Sequence, residues 1–353
     1  MKTVIILFGG RSSEYEVSLS SATAAYNNID KEKYNVKLVG MTREGKFFLF
    51  EDDPTMIAAD KWTDGRKYPV SLDLSRGVLT YVKDGVTEDL PADAVLPMVH
   101  GKFCEDGTLQ GMFAVADIPI VGCDCQSSAV CMDKVVAKSI VAVNSDVKLA
   151  KMVVVKAADV TDEASVDAIR EKCEKDLGYP VFVKPSRAGS SVGVSKVKSA
   201  DTFADALKKA LREDDKVLIE EAIESIGEIE VAVLEEHGRY TVGGPAQIDR
   251  GSAEFYDYET KYISDASSFF LPAKISEDLQ KTVREYAEMI FKILDCRGFA
   301  RVDFFCTPDG ELVFNEINTL PGFTPISMFP KMMINEGISY PEVIDRLVKT
   351  ALR

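Results

Sequence analysis

Residues 300–322 read ARVDFFCTPDGELVFNEINTLPG. Arg301, Asp303 and Phe305 alternate with Val302 and Phe304, which is the two-residue period of a half-buried strand. Val313–Asn318 alternates in much the same way, and Asp309-Gly310 between the two runs is a strong hairpin signal. With Asp309-Gly310 as a two-residue turn, Pro308 faces Glu311, so Asp303 faces Glu316 and Arg301 faces Asn318. These polar side chains then share one face. Two carboxylates and an amide oxygen in one place repel each other unless a cation joins them. Hard oxygen donors of this kind suit Mg²⁺, which keeps few protein ligands and completes its shell with water or phosphate oxygens. The plain alternative is a polar, solvated sheet face.

A metal of this kind needs a phosphate, and upstream segments supply candidates. Val181–Pro185 reads as a strand that delivers Lys184 into Ser186-Arg187-Ala188-Gly189-Ser190-Ser191-Val192-Gly193. Glycines in such a loop let backbone N–H groups approach a triphosphate, and the lysine adds a point charge. The pattern is not GxxxxGK[ST], so an ordinary P-loop is excluded. Gly189–Gly193 does match GxSxG, the nucleophile elbow of serine hydrolases. A hydrolase would need a histidine base after Ser191, and only His237, in the polar turn Glu235–Gly238, follows it. Lys134 lies on a helix where it could reach a phosphate or simply be solvated. Lys216–Glu221 reads as a strand whose Glu220 could accept an adenine amine or merely end the strand. His100-Gly101, with Glu105-Asp106-Gly107 after it, resembles a ligand loop at the C-terminal edge of a sheet, or a structural histidine.

The wider chain is organised as α/β at its start. Val4–Phe8 is a buried run ending in Gly9-Gly10, too short to span a membrane and without a signal cleavage pattern. Ser12 or Ser13 can cap a helix carrying Val17, Leu19, Ala22, Ala25 and Ile29, and Tyr34–Gly40 is the next strand. Ala94–Val99 and Ile118–Val121 complete this part. Helices are expected at 129–143, near 163–177, 202–212, 277–294 and 341–352; strands at 153–156, 180–184, 216–221, 228–234 and 240–245, before the hairpin at 299–306 and 311–317. Residues 249–271 have little period and read as a long functional loop.

With 353 residues, two or three domains are expected. The formal charge of −15 argues against a general nucleic-acid or anionic-membrane binder. Seven cysteines in apolar or irregular surroundings fit a reducing cytoplasm. Cys123, Cys125 and Cys131 lack the paired spacing of a zinc site, and the chain has only two histidines.

LFGGRSSEYEVSLSSA (7–22), HGKFCEDGTLQG (100–111), CMDKVVAK (131–138), VFVKPSRAGSSVGVSKV (181–197), EFYDYETKY (254–262) and RVDFF with FNEINTLPGFT resemble, in this order, the D-alanine–D-alanine ligase family. The resemblance covers nearly the whole chain. It implies an ATP-grasp fold, α/β and α+β, behind an N-terminal Rossmann-like domain. The implied boundaries are 1–122, a central subdomain 123–217, and a C-terminal subdomain 218–353 with lid loop 249–271. It further implies Lys134, Lys184 and the Ser191 loop on ATP phosphates, Glu220 and the backbone at Ala222–Ile223 on adenine, and Glu228 on ribose. Lys261 would approach the transferred phosphate. Asp303, Glu316 and Asn318 would bind two Mg²⁺, with Mn²⁺ as a substitute. Glu14, aided by Ser190 and Tyr262, would anchor the first D-alanine, near His100. Arg301 and the N–H of Gly322 would hold an oxyanion, and Ser327 and Met328 the second D-alanine. A cytoplasmic homodimer making peptidoglycan precursors is the family expectation.

Three departures stand out. Cys104 replaces the usual glycine of HGxxGEDG, residues 144–177 match poorly, and Ile326 and Met328 lie where second-substrate preference varies. D-serine and D-lactate ligases of the same family are therefore alternatives, as is a non-catalytic ATP-binding protein. Apolar Met328 favours a methyl side chain, and Tyr262 favours a dipeptide product over a depsipeptide.

Overall fold

The computed structural model describes residues 1–249 and 268–352. The buried run near the N-terminus forms β1 (Lys2–Gly9), parallel to both β2 (Tyr34–Met41) and β7 (Ala94–Pro97). β3 (Phe47–Phe50), β4 (Lys67–Asp73), β5 (Val78–Lys83) and β6 (Val86–Leu90) extend the sheet antiparallel, in the order β6-β5-β4-β3-β2-β1-β7. This meander left little trace in the sequence because β4 is only half-buried, β6 is largely exposed, and both carry charges in place of an apolar run.

Two helix expectations change. Neither Ser12 nor Ser13 caps the helix Tyr15–Asn28; Glu14 holds the cap position without a side-chain cap bond. The Ser12 hydroxyl instead donates to the His100 carbonyl at 2.6 Å, tying this turn to the end of β7. The helix expected over 129–143 is two helices, Cys125–Met132 and Lys134–Asn144, broken at extended Asp133. The Asp133 carboxylate caps the second helix by accepting from the Val136 N–H at 3.2 Å and from the Ser186 hydroxyl at 2.7 Å. The break makes Lys134 the first residue of a helix aimed at the loop that follows Pro185.

A small antiparallel sheet has the order β11-β10-β12-β9, built from β9 (Met152–Lys156), β10 (Val181–Pro185), β11 (Ser195–Val197) and β12 (Lys216–Glu221). A third sheet runs β15-β14-β13-β16-β17-β8, from β8 (Lys148–Leu149), β13 (Gly227–Glu236), β14 (Arg239–Asp249), β15 (Ser268–Phe270), β16 (Phe299–Cys306) and β17 (Leu312–Asn318). One face of this sheet packs Ile229, Val231, Val302, Phe304, Phe314 and Ile317 against Val283, Ala287, Ile290 and Phe291 of the helix Glu277–Ile293. The expected loop 249–271 thus begins and ends in strand, and 250–267 lie outside the described residues.

The hairpin β16–β17 reaches the expected pairing by an unexpected route. Its turn holds three residues, because Thr307 N–H donates to Glu311 O and Gly310 N–H to Thr307 O, both at 2.9 Å. Gly310 takes φ +87°, the left-handed position that such a turn requires. The register therefore starts one residue off, with Phe304 opposite Phe314. A bulge at Asn315 restores it, so Asp303 does face Glu316 and Arg301 faces Asn318. The core explains the bulge: Leu312, Phe314 and Ile317 all belong inside, and only an extra residue after Phe314 lets Ile317 follow them. Without it the one-residue slip would turn Glu316 and Asn318 off the polar face.

Phe304, fully buried beneath that face, makes a testable anchor. Phe304→Ala is expected to cost ~3–5 kcal/mol of stability, from lost burial and the cavity left behind. Urea unfolding followed by far-UV circular dichroism reads this directly, and a loss near zero would show that the core does not depend on the ring.

Candidate active site

The polar face of the third sheet carries two rows across adjacent strands. Glu230 on β13 lies opposite Asp303 on β16, which lies opposite Glu316 on β17; the next row is Ala232, Arg301 and Asn318. Side chains opposite one another on an antiparallel sheet project from the same face. Arg301 leans back over the acidic row, donating from Nε to Asp303 Oδ1 at 2.8 Å and from Nη2 to Oδ2 at 2.7 Å. Its Nε is also 3.5 Å from Glu230 Oε2. Lys134 Nζ sits 2.9 Å from Glu316 Oε2 and donates to the Ala188 carbonyl at 2.8 Å. Burial alone would lower the Lys134 ammonium, yet the neighbouring Glu316 raises it above its ordinary value.

Two clefts meet here, and Lys134, Ala188, Gly189, Ser190 and Glu316 line both. The first is also lined by Glu14, Glu105, Glu230, Arg301, Asn318, Gly322, Ser327 and Met328. The second runs along the small sheet past Lys184, Ser191, Glu220, Ile223 and Glu228. Ala222 is not part of that lining; its N–H is tied to the Pro180 carbonyl at 3.1 Å. Lys261 and Tyr262 lie outside the described residues.

The donor set fits a hard cation. Asp303 and Glu316 are carboxylates already held by cationic groups, and Asn318 Oδ1 turns back to accept the Leu320 N–H at 3.0 Å. No three acidic, histidine or cysteine side chains converge as a metal cluster among the described residues. Two carboxylates and an amide are what a Mg²⁺ that shares phosphate ligands would use.

At the far wall, the Ser190 hydroxyl donates to Glu14 Oε1. Ser190 and Ser191 both take positive φ, 47° and 58°, so the loop turns its hydroxyls inward through an uncommon conformation. Gly101 is needed beside them: a Cβ there would stand 2.5 Å from Glu14 Oε2. Gly322 has a similar reason, since its Cβ would meet Ser327 Oγ at 2.7 Å. That Ser327 oxygen also accepts the Thr324 N–H at 3.0 Å, so it belongs to a closed turn.

His100 is not among the residues lining either cleft. Its Nδ1–H donates to the Leu320 carbonyl at 2.9 Å, and its Nε2 lies 3.0 Å from the Ser21 hydroxyl. Burial lowers its proton affinity, and its two ring nitrogens pin the turn after β17 to the helix Tyr15–Asn28.

Comparison with known proteins accounts for this arrangement. The family models "D-ala D-ala ligase N-terminus" and "D-ala D-ala ligase C-terminus" match residues 3–123 and 141–349. Proteins named D-alanine–D-alanine ligase from Clostridium novyi and Caldicellulosiruptor bescii are 42% and 41% identical, over 99% of this chain and 98% and 94% of theirs. The chain belongs to the D-alanine–D-alanine ligase family. Among solved structures, the VanG D-Ala:D-Ser ligase of Enterococcus faecalis matches with TM-score 0.88 and 38% identity over 99% of each chain. The D-alanine–D-alanine ligase of Coxiella burnetii matches with TM-score 0.84 and 31% identity, over 99% of this chain and 94% of that one. The fold is ATP-grasp, and the protein is an enzyme of the ligase class.

In this ligase, three groups around the clefts carried no separate sequence assignment. Lys138, one helical turn beyond Lys134, is fully buried and pairs with Glu220 Oε1, while Lys184 Nζ is 2.7 Å from Glu220 Oε2. A second lysine four residues after the first was the available signal. Glu230 stood out only as a charge inside the apolar strand Gly227–Leu234. Glu105 lines the first cleft, and burial, reinforced by the nearby Glu14 carboxylate, pushes its carboxyl well above the ordinary range.

Burial alone would raise the Glu220 carboxyl, but Lys138 and Lys184 outweigh it and hold it at about 2. A depressed carboxyl stabilises the fold above its unfolded pKa, near ~4.3, and loses that contribution as pH falls toward about 2. Glu220→Gln leaves Lys138 buried without its counter-charge and should cost ~3–5 kcal/mol at pH 7. Urea unfolding should show the gap to wild type shrinking at pH 3, whereas an equal gap at both pH values would exclude the charge as its cause.

Proposed function

We propose that this enzyme joins two D-alanine molecules into D-alanyl-D-alanine at the expense of ATP, as a cytoplasmic homodimer supplying peptidoglycan precursors. The observation that carries the reading is the junction of the two clefts at Lys134 and Glu316. A phosphate bound in the second cleft can there meet a carboxylate bound in the first.

The nucleotide would lie along the small sheet, with Lys134 and Lys184 on its phosphates, the Ser191 loop over them, Glu220 and the 222–223 backbone at adenine, and Glu228 at ribose. Lys261 would neutralise the transferred phosphoryl group. Glu14, oriented by Ser190 and joined by Tyr262, would hold the first D-alanine's ammonium. Asp303, Glu316 and Asn318 would hold two Mg²⁺ or Mn²⁺, which when bound neutralise phosphate charge. The first carboxylate attacks the γ-phosphorus, releasing ADP and leaving an acyl phosphate. The second amine, at Ser327 and Met328, then displaces phosphate. Arg301 and the Gly322 N–H would meet the charge on the carbonyl oxygen, a contribution of ~2.7–4 kcal/mol per donor by analogy with oxyanion holes. The domain boundaries we propose are 1–122, 123–217 and 218–353, with 249–271 closing over the clefts.

D-serine as second substrate is the alternative that the VanG likeness favours. The methyl-compatible surface of Met328, which lines the first cleft, favours D-alanine. Phosphate release with ATP, Mg²⁺ and D-alanine, D-serine or D-lactate, with product identified by mass spectrometry, separates these readings. D-alanyl-D-alanine is the expected main product. Arg301→Ala and Glu316→Ala should each lower its formation by about 100-fold or more with the fold intact; dipeptide synthesis at the wild-type rate in both would overturn the assignment.

A further inference from the structure

Asp303 is 2% exposed and lines neither cleft, although its neighbours Arg301 and Glu316 do. The Arg301 guanidinium lies over it, bonded to both of its oxygens. As it stands, the arginine and the aspartate neutralise each other, and both carboxylate oxygens of Asp303 are engaged by the guanidinium. Arg301 must leave Asp303 before that carboxylate can serve a cation. A half-buried guanidinium over a buried carboxylate cannot simply be released, because stripping a buried charge of its partner costs several kcal/mol.

Glu230 supplies the other partner. It is equally buried, sits opposite Asp303 in the strand register, lines the first cleft, and already approaches Arg301 Nε at 3.5 Å. Ala232, opposite Arg301 on the same strand, leaves the arginine room to lean toward either acid. We infer that Glu230 is a positioning residue onto which Arg301 transfers when Asp303 turns to a divalent cation. The exchange keeps the guanidinium paired at every stage. It also makes one event of two requirements, since the aspartate is freed for the metal as the arginine is drawn to its working place over the first cleft.

This inference rests on the proposed metal–nucleotide site but not on the identity of the amino acids joined. Its test reads binding: the factor by which saturating Mn²⁺ tightens ADP binding, measured by titration calorimetry on the full chain. Glu230→Gln keeps the shape and removes the charge, and should reduce that factor by about tenfold, the scale of a coupled neighbouring pair. Arg301→Met removes the group that competes with the metal and should raise the factor. In the double variant the Glu230 substitution should have no further effect, because there is no guanidinium left to hold. An unchanged factor in Glu230→Gln overturns the proposal. So does an equal loss with and without Arg301, which would mean that Glu230 acts on the cation directly. Should Glu230→Gln not fold, Arg301→Met alone decides, since an unchanged or weaker metal effect there removes the competition on which the exchange depends. A wild-type protein that forms no dipeptide yet shows this coupling would refute the ligase reading and leave the exchange standing.

Discussion

Three carboxylates, Glu230, Asp303 and Glu316, face one another across neighbouring strands, the first two of them buried, and a sheet cannot hold such a row without cations. Two different side chains answer that demand. Arg301 comes from the same strand as Asp303, two residues away on the same face, so its geometry is set by the pleat itself. Lys134 comes from a different element altogether, the first turn of a helix 182 positions before Glu316 in the chain. The sheet thereby depends on that helix for the cation that pairs with Glu316, and the helix depends on Asp133 for its start.

That dependence runs on into the small sheet. Asp133 accepts the Ser186 hydroxyl and pairs with Lys216 of β12, while the Lys134 N–H donates to the Ser186 carbonyl at 3.0 Å. The glycine- and serine-rich loop is thus stapled at its root to the helix that carries Lys134. Arg187, next in the chain, is bound through its own N–H to Asp214 at 2.7 Å. Beyond this root the Ala188 carbonyl accepts from Lys134 Nζ at 2.8 Å, and the Ser190 hydroxyl then reaches Glu14. A rigid root with a tip anchored on the first domain is the arrangement that lets one loop serve two clefts.

How far the chain could be read in advance follows from the same physics. β1, β10, β12 and β16 announced themselves because buried strands are continuous or alternating apolar runs. The facing of Asp303 and Glu316 was legible, but through two errors that cancel. A three-residue turn shifts the hairpin by one place, and the bulge at Asn315 shifts it back. The clue was present in the spacing of Leu312, Phe314 and Ile317, whose odd interval breaks the two-residue period. The helix break at Asp133 was less visible, since an aspartate within an otherwise helical run can be surface as easily as cap. His100 was ambiguous for a different reason. A histidine after a strand gives no sign of whether its nitrogens face a ligand or, as here, Leu320 and Ser21 of two other segments. Pairing partners from distant sequence, such as Lys138 with Glu220, have no local signature.

The distribution of charge explains why so acidic a chain can attract a polyanion. Arg301 and Lys134 pair with Asp303 and Glu316 in the acidic row, the side of the site where a divalent cation would be drawn. Across the junction, Lys138 and Lys184 exceed Glu220 by one positive charge, and both lysines approach the same carboxylate. Glu220 therefore does more than cap a strand. It holds side by side two lysines that would otherwise repel, Lys138 buried behind it and Lys184 lining the second cleft. A cation that prefers phosphate oxygens and an anion that carries them would each be favoured on opposite sides of Lys134, and their mutual attraction would join the two halves of the site.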